Sequence, residues 1–272
     1  MAAERSLAGT LRFHPPLPTH TTMKRRHLLP LLGTALLSTL PTAASAQDPA
    51  PPPRQPGVLR VVCLGDSLTG DRPGKPYLHQ YLKWSDLLAL ALESRLGTGK
   101  AEVFNAGWGG DATYTKGDKP GGLKRVDTDV LPFQPDIAVV LIGGNNYSDK
   151  TKSPEEITAR YREDLNGIVS KIKGAGIKVL LLQYPEPKAE DMSKVWTHLD
   201  DGNPIVAEIA KAQQVPTLEL APAFAEAAKT RPLPTLLNGT DGVHLQPYGE
   251  VVLARTVFLK LAELGWVTAA AR

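Results

Sequence analysis

Short runs of apolar residues recur along this chain, and longer stretches of mixed polarity separate them. Two runs, at residues 61–64 and 136–142, are almost wholly apolar and rich in β-branched side chains. That composition is typical of strands covered on both faces of a sheet. Further strands are predicted from shorter runs of the same kind at residues 101–104, 177–183 and 215–220.

The stretches between these runs have the apolar spacing of helices. The stretch after Ser153 shows the local signals well, because a serine cap precedes Pro154 and two acidic residues of the first turn. Strands that alternate with helices predict right-handed crossovers and a parallel sheet covered on both faces. We therefore expect an α/β fold, a three-layer α/β/α sandwich around a central sheet of about five parallel strands. Helices are predicted at residues 81–96, 121–130, 153–173, 203–213, 222–229 and 247–264.

Polar turns follow three of the predicted strands. Ser67 comes just after the first strand, a glycine-rich turn spans residues 105–111, and a third turn spans residues 143–146. The carboxyl ends of parallel strands lie at one edge of a sheet, where ligands of such folds bind. Ser67 is therefore a candidate nucleophile, although the same sequence is compatible with Asp66 or Ser67 capping a helix.

The N-terminal region has the pattern of a signal peptide. Met23 precedes three basic residues, an apolar run at 28–40 follows, and small residues end the segment at Ala46. Pro30 and Pro41 argue against a transmembrane anchor, so no stable membrane insertion is expected after the signal is removed. The sequence predicts export to the periplasm or the outside of the cell, by the general or, given its arginine pair, the twin-arginine route.

The domain organisation follows from that segment. Residues 1–46 are predicted to be an upstream extension plus signal peptide starting at Met23, residues 47–57 a proline-rich linker, and residues 58–272 a single domain. Residues 47–272 hold 26 of the 31 Lys and Arg and 27 of the 28 Asp and Glu, a net charge of −1. The sequence has no basic stripe of the kind that would indicate nucleic-acid binding. Cys63, the single cysteine, cannot form an internal disulfide and is predicted to lie in the core.

A serine nucleophile needs a histidine base, and the base needs a carboxylate that orients it. Three histidines follow the signal segment: His79, His198 and His244. His244 is the preferred base because Asp241 stands three residues before it in a compact loop. The alternative is that Asp241 caps a turn and His244 only opens the last helix.

The reaction also needs donors for the negative charge that develops on the substrate oxygen. The N–H groups of Ser67 and Gly110 and the side-chain amide of Asn145 are the candidates, since all three follow predicted strands. Alternatively, the glycines form only a tight turn, and Asn145 with Asn146 forms an Asx turn.

Four segments together resemble the sequence blocks of the SGNH hydrolases, also called GDSL esterases and lipases. They are residues 65–68, 105–110, 143–146 and 241–244, in the order of the family's blocks. The resemblance implies the flavodoxin-like fold of that family, with Ser67 as nucleophile and Asp241 and His244 completing a triad. It also implies an oxyanion hole made by Ser67, Gly110 and Asn145. Asn146 stands where many members have aspartate, outside the assigned donors.

A hydrolase of this family needs no cofactor, and the histidines and acidic residues show no spacing typical of a metal site. The implied activity is hydrolysis of carboxylic esters through an acyl-enzyme. The expected partner is a small-molecule or glycan ester, and the sequence leaves the oligomeric state open.

Two polar loops supply candidate substrate-binding residues. Tyr77 and His79 lie in one loop, and Trp196 and His198 in the other. Aromatic and polar side chains together suit sugars, so short acyl esters of carbohydrates, such as acetyl esters, are the preferred substrates. Ordinary solvated loops have the same composition. Lysophospholipase, thioesterase and arylesterase activities stay open, as does a non-catalytic glycan-binding module.

Overall fold

The computed structural model describes residues 50–70, 82–188 and 198–267, which belong to one compact unit, Gln47–Arg272. The predicted extension and signal segment lie outside the described residues. Within the described ranges, no helix has both the length and the apolar character needed to cross a membrane.

The described residues form a parallel sheet of five strands in the order β2-β1-β3-β4-β5. Gly65, at the end of β1, pairs with Gly107 of β2 and with Leu141 of β3. The last residues of these three strands therefore lie side by side, and the turns that follow share one edge of the sheet. The strands are β1 Leu59–Gly65, β2 Ala101–Gly107, β3 Ile137–Leu141, β4 Lys178–Gln183 and β5 Thr217–Glu219.

In the described ranges, six α-helices connect and flank these strands. The second is a single turn, continued by a π-helical turn at Val126–Val130 and a 3-10 turn at Leu131–Phe133. Other 3-10 turns lie at Gly144–Ser148 and Leu233–Thr235. The α-helices are α1 Trp84–Leu96, α2 Gly122–Arg125, α3 Pro154–Gly174, α4 Asn203–Gln213, α5 Ala221–Ala228 and α6 Pro247–Glu263.

Alternate residues along the strands pack into two separate hydrophobic cores, one on each face of the sheet. Val61 and Cys63 of β1 point to the core shared with α1, α5 and α6, whereas Val62 and Leu64 point to the core shared with α3 and α4. A strand buried on both faces has to be apolar throughout, which explains the continuous run seen in the sequence. The predicted three-layer α/β/α fold is confirmed.

The second strand is longer than the sequence predicts, since it continues past residue 104 to Gly107. Two tertiary contacts account for the extension. The Asn105 amide donates to Thr69 O at 2.7 Å and to Ser85 Oγ at 2.8 Å. A Cβ on Gly107 would stand 2.2 Å from Gly70 N, so only glycine allows this approach. The start of the glycine-rich turn is thus part of the sheet.

Candidate active site

A tight turn after β1 presents Ser67. The carbonyl oxygen of Asp66 accepts the N–H groups of Thr69 and Gly70 at 3.0 and 2.9 Å, and its carboxylate accepts the N–H of Leu68 at 3.1 Å. Residues 66–70 are therefore closed by Asp66 into a turn rather than the start of a helix. Ser67 is left partly exposed, and its own N–H takes no part in closing the turn.

Ser67, His244 and Asp241 form one chain of hydrogen-bonding distances. Ser67 Oγ lies 3.0 Å from His244 Nε2, and His244 Nδ1 lies 3.0 Å from Asp241 Oδ2. His198, the other described candidate base, is not part of this chain of contacts. The structure thus brings together the three side chains selected from the sequence, and their catalytic role stays a prediction.

A closed loop holds the histidine and the carboxylate. Asn238 N–H donates to the His244 carbonyl and Gly242 N–H to the Asn238 carbonyl, both at 2.7 Å. Gly242 has φ +67°, a conformation that glycine adopts without strain. Asp241 Oδ1 accepts the N–H groups of Val243 and His244 at 2.8 and 3.0 Å, which leaves Oδ2 for the imidazole.

The electrostatics of the loop favour an ionised Asp241. Partial burial raises the pKa of its carboxyl, but the N–H groups of Val243 and His244 and the His244 ring outweigh that effect and lower it. A charged Asp241 favours the tautomer with the proton on His244 Nδ1. Nε2 is then the acceptor that faces the Ser67 hydroxyl.

The two other donor candidates lie next to each other. Asn145 Nδ2 donates to Asp111 O at 2.9 Å, so the residue after Gly110 holds the amide in place. The second N–H of Asn145 has only a 3.4 Å contact with Asp66 Oδ2. Neither Ser67 N–H nor Gly110 N–H has a hydrogen-bond partner among the described residues. These groups are available to a ligand, and their assignment to an oxyanion hole stays a prediction.

Asn146, which replaces the aspartate of many SGNH hydrolases, makes a different contact. Its side-chain oxygen accepts Thr113 N–H at 2.9 Å, and its amide donates to Thr113 Oγ1 at 2.8 Å. Asn146 therefore links the turns after β2 and β3 by hydrogen bonds.

Asp66 is a functional candidate that sequence reasoning treated only as a possible cap. Burial raises the pKa of its carboxyl to about 6. The hydroxyl of Tyr184, the N–H of Leu68 and the nearby His244 lower that pKa, but burial outweighs them. Tyr184 Oη donates to Asp66 Oδ2 at 2.5 Å. Tyr184 follows β4 directly, at the carboxyl edge of the sheet. That position was the signal from which Tyr184 could have been identified as a residue of the site.

Arg125 donates hydrogen bonds to backbone carbonyls at the ends of β1 and β2. Its guanidinium is fully buried and donates to Gly65 O at 3.1 Å, to Ala106 O and to Asp111 Oδ2 at 2.9 Å. Sequence reasoning missed this residue, because its partners Gly65 and Ala106 lie 60 and 19 positions away and no local pattern marks the contacts.

The substrate-binding candidates are only partly described. Tyr77, His79 and Trp196 lie outside the described residues. His198 is exposed, with Nδ1 2.8 Å from Asp201 Oδ2. Leu199 beside it is buried and packs near Gly144, in the turn that carries Asn145. Its role in binding stays a prediction.

Within the part of the chain that the structure describes, no group of three or more His, Cys, Asp or Glu side chains is placed to hold a metal ion.

Several solved structures have a similar fold. A lipase/acylhydrolase from Enterococcus faecalis is 22% identical over 79% of this chain and 100% of its own, with a TM-score of 0.59. A catalytic variant of an acetylxylan esterase from Geobacillus stearothermophilus is 22% identical over 79% of this chain and 97% of its own, with a TM-score of 0.58. Another acetyl xylan esterase is 20% identical over 75% of this chain and 100% of its own, with a TM-score of 0.57.

Comparison with curated protein sequences gives no significant match. The family model of the GDSL-like lipases and acylhydrolases matches residues 63–251, more than half of the chain, and includes Ser67, Asp241 and His244. The prediction made from the four sequence blocks is confirmed. This chain belongs to the GDSL-like lipase/acylhydrolase family and is an ester-bond hydrolase.

Proposed function

We propose that this protein hydrolyses carboxylic esters by a Ser-His-Asp triad through an acyl-enzyme, and that acetyl esters of carbohydrates are its substrates. The observation that carries the proposal is the position of His244, whose two ring nitrogens each lie 3.0 Å from a partner, Ser67 Oγ and Asp241 Oδ2. That geometry is what a serine hydroxyl requires to lose its proton at the moment of attack.

The reaction proceeds in two stages. His244 Nε2 accepts the proton of Ser67 Oγ as that oxygen bonds to the ester carbonyl carbon, and the imidazolium then protonates the leaving alcohol. A water molecule, activated by His244 in the same way, then attacks the acyl-enzyme and releases the acid and Ser67. Asp241 stabilises the imidazolium in both stages.

The oxyanion of each tetrahedral intermediate binds to Ser67 N–H, Gly110 N–H and the Asn145 amide. Asp111 O holds the Asn145 amide at 2.9 Å before substrate arrives, so little reorganisation is needed during the reaction. A donor of this kind contributes roughly 10²–10³ to the rate.

The carbohydrate part of the proposal is supported by the polar and aromatic composition of two stretches of the sequence, residues 70–81 and 184–202. The acetylxylan esterases with a similar fold make acetylated xylo-oligosaccharides the first substrates to test. The segment from Met23 to Ala46 supports export as the location of the activity. Mass spectrometry of the secreted protein should then find a mature chain beginning at residue 47.

The triad is tested by kinetics on 4-nitrophenyl acetate. Ser67→Ala and His244→Ala should each lower kcat by about 10⁴-fold or more, because each removes a member of a unit that acts together. Asn145→Ala should lower it by about 10²-fold. His198→Ala is the matched control, since it removes an exposed histidine outside the triad. Full turnover by Ser67→Ala, or an equal collapse in His198→Ala, would refute the assignment.

The substrate class is tested separately, by acid release from acetylated xylo-oligosaccharides, lysophospholipids and acyl thioesters. The proposal requires the highest kcat/KM on the acetylated sugars. A higher value on a lysophospholipid or a thioester would replace the carbohydrate assignment and leave the triad in place.

A further inference from the structure

A small hairpin places two lysines against the oxyanion side of the candidate site. The N–H group of each of Lys116 and Lys119 donates to the carbonyl of the other, at 3.0 and 3.1 Å, which closes the hairpin. Gly117 within it has φ +61°. We call residues 116–119 the lysine hairpin.

Both lysines contact residues of the proposed oxyanion hole. Lys116 Nζ donates to the Asn145 carbonyl at 3.2 Å and to Ser148 Oγ at 2.6 Å. Lys119 covers Gly110, since its Cε and Nζ lie 3.2 and 3.7 Å from the position that a Cβ on Gly110 would take. Lys119 also makes a 3.4 Å ion pair with the exposed side chain of Asp118. The ammonium group of Lys119 therefore lies beside Gly110, and that of Lys116 lies beside the backbone of Asn145.

A cationic recess continues from Lys116. It has a volume of about 580 Å³, and Lys124, Lys152 and Arg160 line it with Lys116. Lys124 and Lys152 have no ion-pair partner among the described residues, which leaves their charge available to a ligand.

Two carboxylates, Asp149 and Glu156, line the recess beside its cations. Glu156 accepts the N–H of Ser153 at 2.8 Å, and Asp149 accepts the hydroxyl of Tyr114 at 2.9 Å and the side chain of Thr151. Both carboxylates keep their charge, and Arg160 is ion-paired with Asp164 at 3.0 Å. The four cations therefore exceed these three carboxylates by one charge, so the recess keeps a small excess of positive charge.

We infer that the lysine hairpin and its recess bind an anionic group on the alcohol part of the ester, so that acidic esters, such as acetylated sugars bearing a carboxylate, are preferred over neutral ones. The inference rests on the proposed function, because it uses Gly110 and Asn145 to place the substrate. Like charges lining a cleft also draw an anionic substrate toward the site before binding.

The test compares two esters of nearly equal shape, 3-acetoxybenzoate and 3-acetoxybenzamide, which differ in the charge of one substituent. The ratio of kcat/KM for the acid to that for the amide should fall by roughly threefold to fivefold in Lys119→Gln. Lys119→Arg should keep the ratio, and added salt should lower it in the wild type. Lys229→Gln, which removes an exposed lysine directly after α5, is the charge-matched control and should keep the wild-type ratio.

Three results would overturn the inference. One is an equal ratio in wild type and Lys119→Gln. Another is an equal loss on both esters, which would place Lys119 with the oxyanion itself rather than with a substrate anion. The third is no turnover of the acid by a protein that hydrolyses 4-nitrophenyl acetate. Failure to hydrolyse 4-nitrophenyl acetate as well would instead contradict the proposed function.

Discussion

The carboxyl group of Asp66 connects the turn that carries the candidate nucleophile to two other parts of the site, Tyr184 and Asn145. It accepts the N–H of Leu68 and the hydroxyl of Tyr184, and it lies 3.4 Å from the Asn145 amide. These contacts come at an electrostatic cost, because the side chain is only 1% exposed and water cannot solvate its charge. The cost should be visible as a dependence of stability on pH.

The pKa of Asp66 is raised from 3.8 to about 6 in the folded protein. Between those pH values the folded protein binds more protons at this site than the unfolded chain, so the free energy of unfolding falls as pH rises. Asp66 should contribute about 2 kcal/mol more stability at pH 4 than at pH 7. Urea denaturation of wild type and Asp66→Asn at both pH values measures it. A stability difference between the two proteins that stays constant with pH would contradict the prediction.

The site residues that could be predicted from the sequence are those whose residue type and order along the chain indicate their chemistry. Ser67, Asp241 and His244 were predicted because few histidines were available and one loop presented both base and carboxylate. Asp66 and Arg125 were not, because their importance comes from burial and from partners that only the folded chain brings near.

At the scale of the elements, the close contact between β2 and the turn after β1 sets the position of Ser67. Gly107 lies against the backbone of Thr69 and Gly70, where an added Cβ would be 2.2 Å from Gly70 N and 2.7 Å from Thr69 C. Backbone atoms cannot move aside as a flexible side chain can. Any side chain here must therefore push β2 and the turn apart.

Gly107→Ala should destabilise the protein by about 1–3 kcal/mol and lower kcat, because the displaced turn carries the nucleophile. Urea denaturation and turnover of 4-nitrophenyl acetate measure the two effects. Gly174→Ala is the matched control, since an added Cβ at the end of α3 meets nothing within 4 Å. It should leave activity unchanged and add up to about 1 kcal/mol of stability. Equal behaviour of the two variants would refute this role of Gly107.

The sequence predicted the order of the elements well and their ends less well. Apolar periodicity is local, so five strands and the main helices could be recognised from it. The extension of β2 to Gly107 depends on Asn105 and on the turn after β1, more than thirty residues earlier. A local pattern does not contain that contact.

At the scale of the whole molecule, a buried ion pair joins α1 to α6. Lys83 Nζ lies 2.5 Å from Glu250 Oε1, and Glu250 Oε2 also accepts the N–H of Trp84 at 2.8 Å. Burial raises the pKa of Glu250, and the Lys83 charge opposes that effect. The partners are 167 positions apart, so no local sequence pattern indicates the pair. Since α6 begins three residues after His244, this pair anchors the segment that carries the candidate base.

Removing one partner of the pair should be costly, and removing both should cost less than the two single losses together. Glu250→Gln keeps an acceptor for Trp84 N–H but leaves the Lys83 ammonium without a countercharge, at a cost of about 3 kcal/mol. Lys83→Met should cost a similar amount. The double variant should lose less than the sum, by at least about 1 kcal/mol, in a denaturation cycle. Strictly additive losses would show that the two charges do not stabilise each other.

The distance along the chain between the Ser67 hydroxyl and the His244 imidazole, 177 positions, also has a consequence for how the protein acquires activity. Helices and neighbouring strands gain their contacts early in folding, whereas a contact across most of the chain has to wait for the sheet to assemble. A chain still being synthesised contains the serine long before it contains the histidine. Ester hydrolysis therefore reports the completion of folding, and a nascent or partly folded chain cannot act on esters before its last loop docks.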